Sequence, residues 1–160
     1  MLQRRLHVEG YPYEVVNAGV SGDTSAGGLR RLDWVLDDRV RVLVIELGAN
    51  DGLRGLPTAQ LEANLDEIIT RAKARDVRVL LTGMEAPPNF GPHYTAAFRK
   101  TYRDLAEKHD VPLLPFFLDG VAGIRALNNE DGLHPNLDGT RIVEGNVWRM
   151  LEPLLDRSPS

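Results

Sequence analysis

The sequence has no cysteine among its 160 residues. Disulfides, thiolate metal sites and cysteine nucleophiles are therefore excluded together, while the compartment stays open. No apolar run approaches bilayer-spanning length, so a soluble chain without integral membrane contact is expected. Positive charge is not in excess: 19 Lys and Arg stand against 23 Asp and Glu, a formal net charge of −4. A nucleic-acid backbone calls for concentrated positive charge, and no such partner is expected; the pair Arg30 and Arg31 reads as a solvated helix face. The opening residues Met1-Leu2-Gln3-Arg4-Arg5-Leu6 lack the apolar core of a signal peptide. Several ligand motifs are missing too. No Lys lies within residues 20–28 to make a phosphate loop, and no G-x-G-x-x-G follows the first predicted strand. The elbow G-x-S-x-G is narrowly missed, because Gly19-Val20-Ser21-Gly22 is followed by Asp23. A metal centre could be drawn from Asp131 and His134 with His93 or Asp23, but no close histidine pair supports it, so neither metal nor other cofactor is expected. Nothing fixes the separation among Asp23, Asp51 and Asp131 that glycoside hydrolysis would need.

What is present is the pattern of one globular domain over residues 1–160. The N-terminus reads as the last turns of an amphipathic helix, stopped near Gly10 and Pro12. Residues 13–18, with Val15 and Val16 at their centre, predict a buried strand, and a Gly/Ser/Thr loop follows over 20–28. Leu29, Leu32, Val35 and Leu36 mark a helix. Residues 40–47 are nearly continuous in Val, Leu and Ile, which suits a parallel strand buried on both faces and ended by the loop 48–52. Residues 58–75 predict a helix facing inward through Leu61, Leu65, Ile68, Ile69 and Ala72, with Thr58 as its N-cap. A strand over 77–82, a loop over 84–92, a helix over 94–108 and a strand over 111–116 follow; Pro112 and Pro115 suit strand ends or an edge. A short helix over 120–127 and a polar loop over 128–136 lead to a last helix over 138–155, which Pro153 ends or bends. The tail 157–160 is expected to fray. Strands alternating with helices imply an α/β fold with an open parallel sheet. Sites in such sheets form beyond the carboxyl ends of the strands.

Chemistry-bearing residues fall at those places. In Asp131-Gly132-Leu133-His134-Pro135 the carboxylate and imidazole are three residues apart, close enough to meet across one tight loop. The carboxylate can fix the imidazole tautomer and leave the other ring nitrogen free as a base; a plain surface turn is the alternative. After the first predicted strand, the Gly22 amide can donate to a developing negative charge, and the Asn50 side chain can do so after the next strand. The alternatives are that Asn50-Asp51-Gly52 is only a turn and that Asp23 or Thr24 caps a helix. His7 and His109 read as structural.

At these residues the chain resembles the SGNH (GDSL-like) hydrolases, in their arylesterase and acyl-thioesterase/lysophospholipase branch. Asn17-Ala18-Gly19-Val20-Ser21-Gly22-Asp23-Thr24 resembles the family's second block, Gly48-Ala49-Asn50-Asp51 the third, with Ala49 where many members have glycine, and Asp131-Gly132-Leu133-His134-Pro135-Asn136 the last. The loop stretch Pro87-Pro88-Asn89-Phe90-Gly91 and residues 111–117 also look like this branch. The resemblance implies a three-layer, flavodoxin-like parallel sheet. It also implies a serine acyl-enzyme mechanism with Asp131 and His134 as triad acid and base, and Gly22 and Asn50 as oxyanion donors. The block with the Gly-Asp-Ser-Leu turn and the nucleophile finds no match, so the domain reads as N-terminally incomplete, without the family's first strand. Ser21 and Ser25 lie in the second block and are poor substitutes.

The implied substrate is a small ester or thioester, with Met84 and Phe90 as candidate walls of its acyl pocket; a rigid crossover loop is the other reading. A strand missing from the sheet leaves apolar edges that close up, pair two chains in a homodimer, or leave the chain marginally folded. The competing reading is a catalytically inactive remnant acting as a binding or interaction domain.

Overall fold

The computed structural model describes residues 1–157. Of the expected frayed tail, 158–160 lie outside the described residues, whereas Arg157 holds its guanidinium 5.0 Å over the Tyr11 ring. The chain forms two compact units: Met1–Asn17 with the chain from Phe117 onward, and Ala18–Phe116.

The first unit opens with α1 (Leu2–Glu9), closed by Gly10 in the left-handed region at φ 77°, as the Gly-x-Pro sequence suggests. The second unit holds α2 (Ser25–Arg30), α3 (Leu32–Val35), β1 (Val42–Glu46), α4 (Ala49–Leu53), α5 (Thr58–Lys73), β2 (Arg78–Thr82), α6 (Pro92–His109) and β3 (Leu113–Leu114). The chain then returns to the first unit through a single 3-10 turn at Arg125–Leu127 to α7 (Leu137–Leu151), followed by a further 3-10 turn at Glu152–Leu154 where Pro153 breaks the α ladder. No described helix is long and apolar enough to cross a membrane.

The sheet is parallel with order β1-β2-β3, Val44 facing Leu80 and Leu81 facing Leu113. Helices α5 and α6 flank it. α5 buries the five residues its period predicted, and α6 buries Phe98, Thr101, Tyr102, Leu105 and Ala106. Burying each large apolar side chain contributes about 1.5–3 kcal/mol. In the first unit, Leu6, Tyr11 and Trp148 form a separate cluster, with the two aromatic rings edge to face at 5.8 Å.

Four expectations need correction. Residues 13–18 join no strand: Val15 and Val16 are 42% and 78% exposed. A strand exists by its ladder, and here the Gln3 side chain serves instead, donating to Tyr13 O at 3.0 Å and accepting from Val15 N at 2.6 Å. β1 is not buried on both faces; it is an edge strand in which only Ile45 is buried. Residues 49–53 form helix α4 rather than a loop. Pro57, not Thr58, stands at the α5 N-cap. β3 covers only Leu113–Leu114 of the expected 111–116, because Pro112 and Pro115 bracket it and cannot donate to the ladder.

Glu46 ends β1. Neighbouring protein atoms raise its carboxyl to about pKa 7, although water still reaches the residue. A folded-state value above the ordinary 4.5 means that the native state holds this proton more tightly than the unfolded chain does. Stability from this group is complete below pH 4.5 and is lost as pH rises through 7. Urea unfolding should therefore show a decline across that window that Glu46→Gln removes. Solvent screening holds the difference to about 1 kcal/mol or less.

Candidate active site

The candidate residues form two sets, one in each unit. In the first unit, a loop pinned by side-chain amides presents Asp131 and His134. Asn128 is buried and donates to Val121 O and Ile124 O, both at 2.8 Å. Asn128 also bridges to Pro135, and Asn129 N donates to His134 O at 2.8 Å. Asn136 accepts from Asp138 N and Gly139 N at 3.0 and 3.1 Å, which caps α7. Gly132 turns the loop at φ 70°.

Within that frame the Asp131 carboxylate wraps back on its own loop. Its Oδ1 accepts from Leu133 N at 2.9 Å and His134 N at 3.0 Å, and its Oδ2 meets His134 Nδ1 at 2.7 Å. The His134 amide, then its ring, then the Leu133 amide hold the carboxyl down at about pKa 2. Asp131 is therefore ionised at neutral pH and fixes the Nδ1–H tautomer, which leaves Nε2 as the basic nitrogen. The two side chains are 47% and 73% exposed. Such a pair gains little stability in water, so the loop geometry, and not the ion pair, keeps it assembled.

In the second unit, residues 20–23 make a tight turn closed by Asp23 N donating to Val20 O at 3.2 Å, with Gly22 at φ 78°. A β-carbon at Gly22 would meet nothing, so backbone angle and not space requires glycine here. Thr24 caps α2 by accepting from Gly27 N, and Asp23 pairs with Arg31 at 2.7 Å. Gly48 enters α4 at φ 111°, lying against Leu61 and the Tyr102 hydroxyl, which itself donates to Leu47 O at 2.9 Å. Asn50 sits on α4 and donates through Nδ2 to Asp23 O at 3.0 Å. The two candidate oxyanion elements are thus joined directly.

Ser25 is fully buried; its Oγ donates to Asp51 at 2.5 Å and accepts from Asn64 at 2.9 Å. Ser21 is exposed on the turn. Met84 is buried after β2, and Phe90 is 40% exposed, its ring tilted against that of Tyr94 at 5.3 Å and lying against Gly55. Tyr94 ties this loop to the α4 region through a 2.7 Å bond to Leu56 O. A cleft beside the dyad loop is lined by Gly123, Arg125, Asn128, Asn129, Glu130 and Gly132, without Met84 or Phe90. Sequence reasoning missed Arg54, Asn64 and the cap at Asn136; an Asn directly before an apolar helical period was the available signal for the last.

The sequence pattern of the GDSL-like Lipase/Acylhydrolase family matches residues 1–142. The chain belongs to that family. Within this GDSL-like family of ester hydrolases it falls in the esterase and thioesterase branch. It is 49% identical over 156 residues to the esterase TesA of Pseudomonas aeruginosa, covering 97% of this chain and 78% of that one. It is 41% identical over 143 residues to thioesterase 1/protease 1/lysophospholipase L1 of Escherichia coli, covering 89% and 69%. The crystal structure of TesA superposes with a TM-score of 0.90, covering 96% of this chain and 86% of that one.

Proposed function

We propose that this GDSL-like chain carries the acid–base pair and oxyanion donors of a carboxylic ester hydrolase of arylesterase or acyl-thioesterase type, whose nucleophile is neither Ser21 nor Ser25. The carrying observation is the 2.7 Å bond from Asp131 to His134 Nδ1, which leaves Nε2 as base. In the reaction, His134 Nε2 takes the proton of a serine hydroxyl as its oxygen attacks the ester carbonyl. The same proton then goes to the departing alcohol or thiol, leaving an acyl-enzyme. His134 Nε2 next takes a proton from water as its oxygen attacks the acyl carbon, and returns that proton to the serine oxygen as the acyl bond breaks and the acid leaves. Asp131 orients the ring and stabilises the imidazolium. The Gly22 amide and Asn50 side chain hold the oxyanion, and Met84 and Phe90 contribute to the acyl pocket.

Ser25 is unsuited as nucleophile, since its oxygen is buried and both donates and accepts. In this reading residues 1–160 belong to one domain, and the nucleophile is not among Ser21 and Ser25. The open side of β1 is where the family's first strand adds to complete the three-layer, flavodoxin-like sheet. The same edge would serve a homodimer.

Labelling with a fluorophosphonate, read by intact mass, tests the assignment. The chain as it stands should take no adduct. Fused behind a first strand and Gly-Asp-Ser-Leu turn taken from a relative, it should take one adduct per chain, on the fused serine. An adduct on Ser21 or Ser25 overturns the nucleophile assignment. A folded fusion that takes none favours the binding-remnant reading.

A further inference from the structure

Arg54 follows α4, and its Nη2 donates to Gly22 O at 2.9 Å. It is exposed and forms no ion pair among the described residues, so neither burial nor a carboxylate explains its place. The bond is one of three between α4 with its C-cap residue and the segment 22–25, which runs from the turn into α2. Arg54 takes Gly22 O, Asn50 takes Asp23 O at 3.0 Å, and Asp51 accepts from Ser25 N at 2.8 Å.

The Ser25 anchor is buried and rigid: Asp51 is 2% exposed and Ser25 0%. The Gly22 end is different. It is an exposed glycine at positive φ with no atoms near its β-carbon position, and the backbone bond that closes the turn, Asp23 N to Val20 O at 3.2 Å, does not engage Gly22 O. A backbone with that freedom samples several conformations unless a polar contact fixes it. A guanidinium–carbonyl bond is charge-assisted and held by a planar fork, which suits that task.

We propose that Arg54 is a positioning residue for the oxyanion turn: by holding Gly22 O it fixes the Gly22–Asp23 peptide plane, which limits the range open to the Gly22 amide on the other side of one α-carbon, and through Asp23 the direction of the Asn50 amide. Asn50 spends one Nδ2 hydrogen on Asp23 O, so the second points where that carbonyl dictates. Donors aimed before the reaction stabilise charge without reorganising. The proposal rests on Gly22 and Asn50 being the oxyanion donors, but the Arg54 latch can be measured without any turnover.

The experiment is ¹⁵N relaxation on the full chain and on Arg54→Met and Arg54→Lys. In the parent, the Gly22 and Asp23 amides should show order parameters near the rigid value of about 0.85. In Arg54→Met they should fall below about 0.6, with a shift of the Asn50 side-chain resonances, while amides across α5 keep their values. Arg54→Lys, which still donates, should recover part of the order. Rigid Gly22 and Asp23 amides in a folded Arg54→Met chain overturn the proposal, as does equal loosening in Arg54→Lys. Should Arg54→Met lose order throughout, the Lys variant decides alone: an unchanged Gly22 supports the latch, and a mobile Gly22 in a folded chain refutes it. Failure of the ester-hydrolase reading would instead appear in the phosphonate labelling, with these relaxation values unmoved.

Discussion

In the serine-fused chain, His134→Ala should slow hydrolysis of a short p-nitrophenyl ester by about 10⁶-fold, the scale seen when the base of a serine hydrolase is removed. The size follows from two losses at one atom. Nε2 no longer takes the serine proton during attack, and it no longer returns that proton to the leaving group. Asp131→Asn should cost less, about 10⁴-fold. The ring nitrogen remains in that variant, but the carboxylate that accepts from Nδ1 at 2.7 Å is gone and the tautomer is no longer fixed. The double variant should be no slower than His134→Ala, because the two side chains act as a unit. Steady-state rates on the fused chain read all three values. A loss below tenfold in His134→Ala would remove this residue from the chemistry. Additive losses would show that Asp131 acts elsewhere.

The sequence was most legible where one periodicity ran long enough to average out local conflicts. The helix over 58–75 and the strand over 40–47 appear within a few residues of their predicted ends, as α5 and β1. Failure came where neighbours, not residues, decide. Val15 and Val16 have strong strand propensity, yet propensity expresses packing against cross-strand partners, and segment 13–18 joins no ladder. Gly48-Ala49-Asn50-Asp51-Gly52 reads as a turn because Gly, Asn and Asp favour turns. α4 forms nonetheless, with Asp51 buried on Ser25 and Gly52 packed against Phe98, contacts that no local pattern encodes. The dyad was legible because its three-residue spacing already limits the geometry. The Asn50–Asp23 link was not, since the two positions lie 27 residues apart with α2, α3 and β1 between them.

Two glycines in one helix should respond oppositely to alanine. Helix propensity alone favours alanine over glycine by about 1 kcal/mol at both Gly139 and Gly145 of α7. At Gly145 an added β-carbon meets nothing within 4 Å, so Gly145→Ala should stabilise by somewhat under about 1 kcal/mol. At Gly139 the added carbon would overlap Leu127 O and press on Val121 Cγ1 at 2.9 Å and Pro135 Cβ at 3.1 Å. The first of these is backbone and cannot swing aside as a side-chain tip can. Leu127 N–H and C=O are both engaged, with Ile124 O and Asn136 N, so the strand of loop that would have to move is the one carrying the dyad. Overpacking of this kind costs up to about 3 kcal/mol and outweighs the propensity gain. Gly139→Ala should therefore lower stability by about 2 kcal/mol in urea unfolding, a large share of the 5–15 kcal/mol typical of a domain. In the serine-fused chain it should also lower turnover well before it unfolds the protein, because the nearest way to relieve the overlap is to displace residues 127–135. Equal responses at Gly139 and Gly145 would mean that the loop yields freely and that α7 does not set the position of His134.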